Sequence, residues 1–258
     1  MIATLIGGHP PQAAGADVSA AVAAQERAGL DLLAVAVGDP ARPPDPDAAV
    51  AVWRAASAHT VRPVKAVLPG PLSGAVAAGA TGEALGREIA AWARALNAVA
   101  RALAAAGAPW VEIDEPTLVA RPADWPLARE ALVAVAAEVP ASLALATWGG
   151  DVVGLEGLLG LPFHVFHLDF VAGPRNWTLV DTFPRGPSLG LGIIDARTPA
   201  LEYAASLGNV LWRATQVIAP QRLHVHPSAP LDQLAPAQAE AKLALVAQVV
   251  REARPRAG

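Results

Sequence analysis

The 258-residue sequence contains no cysteine at all. That excludes a disulfide framework, a thiolate zinc cage, an iron–sulfur cluster and a cysteine nucleophile. Lysine is nearly absent too, with only Lys65 and Lys242 in the chain. The 19 basic residues are scattered against 23 acidic ones, for a formal net charge of −4. No basic footprint for nucleic acid or an anionic membrane results. Long apolar runs are missing as well. The most apolar stretch, Ala131 to Trp148, is broken by Glu138 and Pro140, so nothing approaches the roughly 20 residues of a spanning helix. Met1 to Gly8 lacks the basic leader and cleavage site of a secretory signal, and the expected location is cytoplasmic. No dinucleotide fingerprint, P-loop or nucleophile elbow occurs in a suitable context, which argues against nucleotide binding and serine hydrolysis. A small-molecule partner is the default, with no nucleic acid and no membrane.

What the sequence does have is a 53% hydrophobic composition arranged in alternating patterns. Apolar runs of strand length end in Gly, Pro, Asp or His and alternate with Ala-rich stretches of helical period. Strands are expected over Ile2–Gly8, Leu30–Val37, Pro63–Leu68, Trp110–Asp114, Ser142–Thr147, His164–Asp169, Leu189–Ile194 and Leu223–His226. Helices are expected over Val18–Ala28, Asp47–Ala58, Gly82–Ala106, Trp125–Glu138 and Pro236–Ala253, with weaker ones elsewhere. Eight βα units of about 32 residues each predict an α/β fold, a single (βα)8 TIM barrel. No composition shift or linker divides the chain, so residues 1–258 read as one domain. The proline-rich Pro40–Pro46 segment reads as a βα loop, with Asp45 or Asp47 capping the next helix.

A barrel of this kind gathers its chemistry at the carboxyl ends of its strands. Those ends carry Gly7, Gly8 and His9; Gly38 and Asp39; Gly70 and Ser73; Asp114 and Glu115; Thr147 and Trp148; His167 and Asp169; Asp195 and Arg197; His226 and Ser228. In Glu112-Ile113-Asp114-Glu115-Pro116, alternation sends Glu112 and Asp114 in one direction, with Asp114 at the mouth, where a carboxylate can hold an ammonium group or act as a base. The alternative is a salt bridge or a helix cap. His167 and Asp169 share a face, as do His224 and His226, a set that could hold zinc or iron. Against a metal, the two strands are not neighbours, and histidine is often half-buried on a backbone hydrogen bond. Lys65 could place its amine in the barrel as a nucleophile or anion binder, but an outward, snorkelling lysine is the expectation.

Several of these segments together resemble cobalamin-independent methionine synthase, of the methionine-synthase-like and uroporphyrinogen decarboxylase-like barrels. Ile6-Gly7-Gly8-His9-Pro10 resembles the family's Ile-Gly-Ser-Phe-Pro opening, Gln25 to Asp31 its Gln-Glu step, and Leu68-Pro69-Gly70-Pro71-Leu72-Ser73 its Gly-Pro loop. Val111 to Leu118 resembles its Gln-Ile-Asp-Glu-Pro-Ala-Leu, the most specific piece. Ala146 to Val152, Phe166 to Asp169, Leu189 to Arg197 and His226-Pro227-Ser228 follow in the family's order, closest to its amino-terminal barrel.

The resemblance implies a methyltransferase of methionine biosynthesis and one-carbon metabolism that acts on a small thiol or amino acid such as homocysteine, with a folate or other methyl donor. It implies a ligand amine on Asp114, a ligand carboxylate on the backbone of Ile6, Gly7 and Gly8, and further contacts from Glu115 and Trp148. His167, Asp169 and His226 would supply acid, base or orientation. Zinc is the metal the family implies, but its ligand positions fall on Trp148, Gly150, Asp169 and Ala229. With the usual Cys ligands absent, no metal residue is assigned. The alternative is a non-catalytic barrel that docks a separate catalytic subunit. A homodimer or a partner barrel is compatible with either reading.

Overall fold

The computed structural model describes residues 1–7 and 18–254. Eight parallel strands curl into one sheet with helices between them. In chain order the elements are β1 (Ile2–Ala3), α1 (Val18–Ala28), β2 (Leu33–Ala36), α2 (Pro46–Ser57), β3 (Val64–Pro69), α3 (Pro71–Ala77), α4 (Ala84–Ala105), β4 (Trp110–Asp114), α5 (Thr117–Ala120), α6 (Trp125–Ala136), β5 (Ser142–Ala146), β6 (Val165–Asp169), α7 (Trp177–Val180), β7 (Ser188–Ile194), α8 (Ala204–Thr215), β8 (Leu223–Pro227) and α9 (Pro236–Ala253). Hydrogen-bonded neighbours run β1-β8-β7-β6-β5-β4-β3-β2. The α/β barrel expected from the alternation is therefore present.

The first strand is shorter than the expected Ile2–Gly8, since only Ile2 and Ala3 pair with β8. Side chains do much of the work beyond it. The Ala3 carbonyl accepts from the Asp31 and Leu32 amides at 2.9 and 3.2 Å, and the Asp31 carboxylate accepts the Ala3 amide at 2.7 Å. Thr4 Oγ1 donates to the Leu32 carbonyl at 2.9 Å. These bonds close the seam between β1 and β2 where regular pairing stops. Leaving buried backbone groups unpaired there would cost stability.

Helix boundaries follow local chemistry. Asp45, not Asp47, caps α2 by accepting the Ala48 amide at 2.8 Å. On α4 the residues Leu85, Ile89, Trp92, Leu96, Val99 and Leu103 recur at helical spacing and are buried, which lays the helix along the sheet. On the strands, the outward positions such as Val111, Ile113, Phe166 and Leu168 are buried beneath the helices. The alternate positions face the barrel axis, and there, among apolar residues such as Val67 and Ala144, lie the buried polar residues Lys65, Glu112, His167, Asp169, His224 and His226. That departure from the usual apolar barrel filling locates the site.

Candidate functional site at the barrel mouth

Register sets the first pair of groups. On β3 and β4, Val67 lies beside Glu112 and Pro69 beside Asp114, so Glu112 sits one layer below Asp114 on the same inward face. Lys65 also points inward and is 1% exposed, against the expectation of a surface lysine. Its register leaves no other course: an outward residue at that position would displace the apolar layer under the helices. The ammonium lies 2.5 Å from Glu112 Oε2 and donates to the Leu5 carbonyl at 2.5 Å. A buried charge needs such partners. Glu112 Oε1 accepts the Gly7 amide at 3.2 Å.

Gly7 adopts φ +69, and a side chain there would stand 2.8 Å from Pro230 Cγ and 3.8 Å from Asp114 Oδ2. Only glycine meets both conditions, the left-handed backbone and the close approach. The Ile6–Gly7 backbone thus comes up against Asp114, whose Oδ1 is buried without a hydrogen-bond partner. Ile6 itself has its side chain buried, so only its backbone is offered to the mouth. Gly8, the third residue expected to hold a ligand carboxylate, lies outside the described residues, as do His9 and Pro10. The carboxyl of Asp114 is held well above the usual range, by burial first and then by the neighbouring Glu112 charge, with Lys65 pulling the other way.

The histidines meet across β7, although their strands are not adjacent. His167 on β6 and His226 on β8 stack edge-on with ring centroids 4.7 Å apart, and His224 lies 5.6 Å from His167. The intervening residue of β7 is Gly190, which pairs with both His167 and His224 in register. A methyl group there would fall 1.9 Å from His167 Nδ1, so the missing side chain makes room for the ring. His167 Nε2 lies 3.4 Å from Glu112 Oε2. His226 Nδ1 lies 2.7 Å from the Pro227 carbonyl. Burial lowers the pKa values of His224 and His226 to about 3. It also holds His167 well below the usual imidazole range, with His226, Lys65 and His224 adding to the effect. Three neutral imidazoles therefore surround one ion pair.

Two other expected site acids spend their oxygens on the scaffold. Asp169 is fully buried. It accepts the Val171 and Ala172 amides at 2.8 Å on Oδ1 and the Gly149 amide at 3.0 Å on Oδ2. Glu115 accepts the Leu72 and Ser73 amides at 2.8 and 2.7 Å and the Ser73 hydroxyl. It thereby satisfies the amino terminus of α3. Burial raises its pKa to about 7, with those hydrogen bonds opposing the rise. Trp148 follows β5 and is half-buried. Arg197 is partly exposed beyond β7, 3.1 Å from Asp195 and 3.9 Å from Asp169.

The donor set does not suit the zinc that the resemblance implies. Trp148, Gly150 and Ala229 offer no metal-binding side chain, and the remaining position, Asp169, is taken up by three backbone amides. Among the described residues no group of three His, Asp or Glu side chains is arranged to hold a metal ion. The structure thus brings together Asp114, Gly7, His167 and His226, and adds Lys65 and Glu112, which sequence reasoning did not place in the site. The signal for both was parity: Glu112 shares the direction of Asp114, and an inward Lys65 is the available counter-ion.

Known proteins match this geometry and sequence over different spans. A likeness of 37% identity over 138 residues links the chain to a 5-methyltetrahydropteroyltriglutamate–homocysteine methyltransferase from Actinobacillus pleuropneumoniae serotype 5b (strain L20), covering 50% of this chain but 17% of that protein. A methionine synthase from Methanothermobacter marburgensis is 28% identical over 201 residues, covering 76% of this chain and 65% of the relative. The chain therefore spans well under a fifth of the first relative's length and just under two thirds of the second's. In fold, a B12-independent methionine synthase from Shewanella sp. W3-18-1 superimposes with a TM-score of 0.77 at 16% identity over 98% of both chains. Another such protein from Listeria monocytogenes gives 0.73 at 14% identity. Residues 45–214 match the family described as cobalamin-independent synthase, N-terminal domain, and the chain belongs to that family.

Proposed function

We propose that the barrel mouth binds a small sulfur-containing amino acid, with its amine on Asp114 and its carboxylate against the Ile6–Gly7 backbone, and that the protein serves methyl transfer at sulfur. The observation that carries the reading is the buried, unpartnered Asp114 Oδ1 beside the left-handed Gly7. An unsatisfied buried acceptor is costly, and an arriving ammonium group satisfies it with a charge-assisted hydrogen bond. The fold neighbour from Shewanella holds selenomethionine, which makes homocysteine and methionine the natural probes.

In this reading the chain's own residues bind and orient. Asp114 gives up its proton when the amine arrives and becomes the counter-ion. The neutral imidazoles of His167 and His226 line the barrel below and can donate or accept hydrogen bonds there without adding charge. Asp169 and Glu115 hold the β6 and β4 loops in place. Zinc activation of the thiol is not part of the scheme, because the donor set does not fit the metal.

A second reading, a binding barrel that works beside a separate catalytic barrel, draws support from the same missing donors and from the family match, which is to an amino-terminal domain. Calorimetric titration of L-homocysteine into the protein and into Asp114→Asn tests the subsite. Loss of one charge-assisted hydrogen bond predicts weakening of at least about tenfold, and unchanged affinity would overturn it. A methyl-transfer assay with a methylfolate donor then separates the two readings: turnover by the chain alone favours the first, and binding without turnover the second.

A further inference from the structure

Around Asp114 the acidic side chains outnumber the cationic ones among the described residues. Glu112 and Asp114 are two acids on successive inward positions of β4, and Lys65 on β3 is the cation beside them. The other titratable groups facing this cluster are His167 on β6 and His224 and His226 on β8, all kept neutral by burial, and Glu115, whose oxygens are turned to α3. Among the described residues one cation thus stands beside two acids, and Asp114 has no counter-cation of its own. Lys65 is committed to Glu112 and Leu5.

The same ion pair also holds the backbone that faces the ligand. Lys65 fixes the Leu5 carbonyl, and Glu112 fixes the Gly7 amide. Ile6 lies between these two anchor points, so the ion pair pins both ends of the segment that packs Gly7 against Asp114. Without it, nothing else among the described hydrogen bonds of Leu5 and Gly7 would fix that segment to β3 and β4.

We propose that Lys65 and Glu112 are positioning residues for the Asp114–Gly7 subsite, and that their mutual neutralisation, which leaves Asp114 without a counter-ion, makes the subsite selective for ligands carrying a cationic amine. The inference rests on the amino-acid reading above and adds to it the residues that set the selectivity. A ligand ammonium supplies the second cation. A ligand of the same shape without the amine leaves Asp114 protonated and gains no ion pair.

The test is calorimetric titration across pH of L-methionine and of 4-(methylthio)butanoate, its analogue without the amine, into the wild-type protein, Glu112→Gln and Lys65→Met. The wild-type protein is expected to bind L-methionine at least about tenfold more tightly than the analogue, the scale of one charge-assisted bond. Binding should strengthen as pH rises through the Asp114 titration. In Glu112→Gln the adjacent negative charge is gone, so that midpoint moves to lower pH, which a merely structural role would not produce. Lys65→Met releases the Leu5 carbonyl and leaves Glu112 without its counter-ion, and as the Leu5–Gly7 segment loses its anchor the affinity for L-methionine falls by about tenfold or more. If Lys65→Met fails to fold, the pH midpoint of Glu112→Gln decides. An unshifted midpoint, or a folded Lys65→Met with wild-type affinity, overturns the proposal while the amine subsite stands. Failure of the wild-type protein to prefer L-methionine overturns both.

Discussion

The carboxyl of Asp114 and the carboxyl of Glu115 are adjacent in sequence and both are pushed upward by burial, yet they do different things. Asp114 keeps an oxygen free in the barrel mouth, whereas Glu115 spends both of its oxygens on α3 and Ser73. The consequence at Glu115 concerns stability. Its folded pKa of about 7 stands above the ordinary 4.5, so folding favours the protonated form. That contribution is whole below about pH 4.5 and is lost as pH rises through about 7. At roughly 1.4 kcal/mol per unit it amounts to at most about 3.5 kcal/mol. Urea unfolding of Glu115→Gln should therefore show a smaller decline in stability between pH 5 and pH 8 than the wild-type protein. Equal declines would mean that Glu115 is ionised at little cost.

At the scale of elements, the decisive feature is a strand that lacks side chains where its neighbours have large ones. Gly190 on β7 lets His167 and His226 touch across an intervening strand. Gly190→Ala drives a methyl group into the His167 ring, and overpacking of that kind costs about 1–3 kcal/mol. A thermal melt should show a clearly lowered midpoint, and a wild-type midpoint would mean that the ring moves freely. Sequence periodicity made most of the architecture legible, because strands alternating with amphipathic helices leave few other folds. Val18–Ala28 and Pro236–Ala253 were readable to the residue for that reason. The site was only half legible. Asp114 stood out as an acid at a strand end, but the histidine contact depends on a glycine in a different strand. The fate of Asp169 depends on amides of the loops after β5 and β6. Neither relation leaves a periodic trace in the chain. The short β1 escaped for a similar reason: Thr4 and Leu5 are apolar-run residues whose pairing is taken over by side-chain and seam bonds.

At the scale of the whole molecule, the chain has the barrel of the cobalamin-independent synthase family and a mouth without that family's metal donors. Gains in stability from a ligand that binds the folded state follow mass action, so zinc offers a direct check. Added zinc should produce no saturable rise in melting temperature that Asp169→Ala abolishes; such a rise would mean that the loop amides release Asp169 to a metal. The central claim, however, is that an incoming amine replaces a proton on Asp114. Calorimetric titration of L-methionine at pH 6 in two buffers of different ionisation enthalpy counts that proton. The account predicts net proton release on binding, because burial and the Glu112 charge favour the protonated carboxyl of Asp114 in the free protein and the ligand ammonium favours its carboxylate in the complex, and no release from Asp114→Asn. Binding with no proton released by the wild-type protein would contradict it.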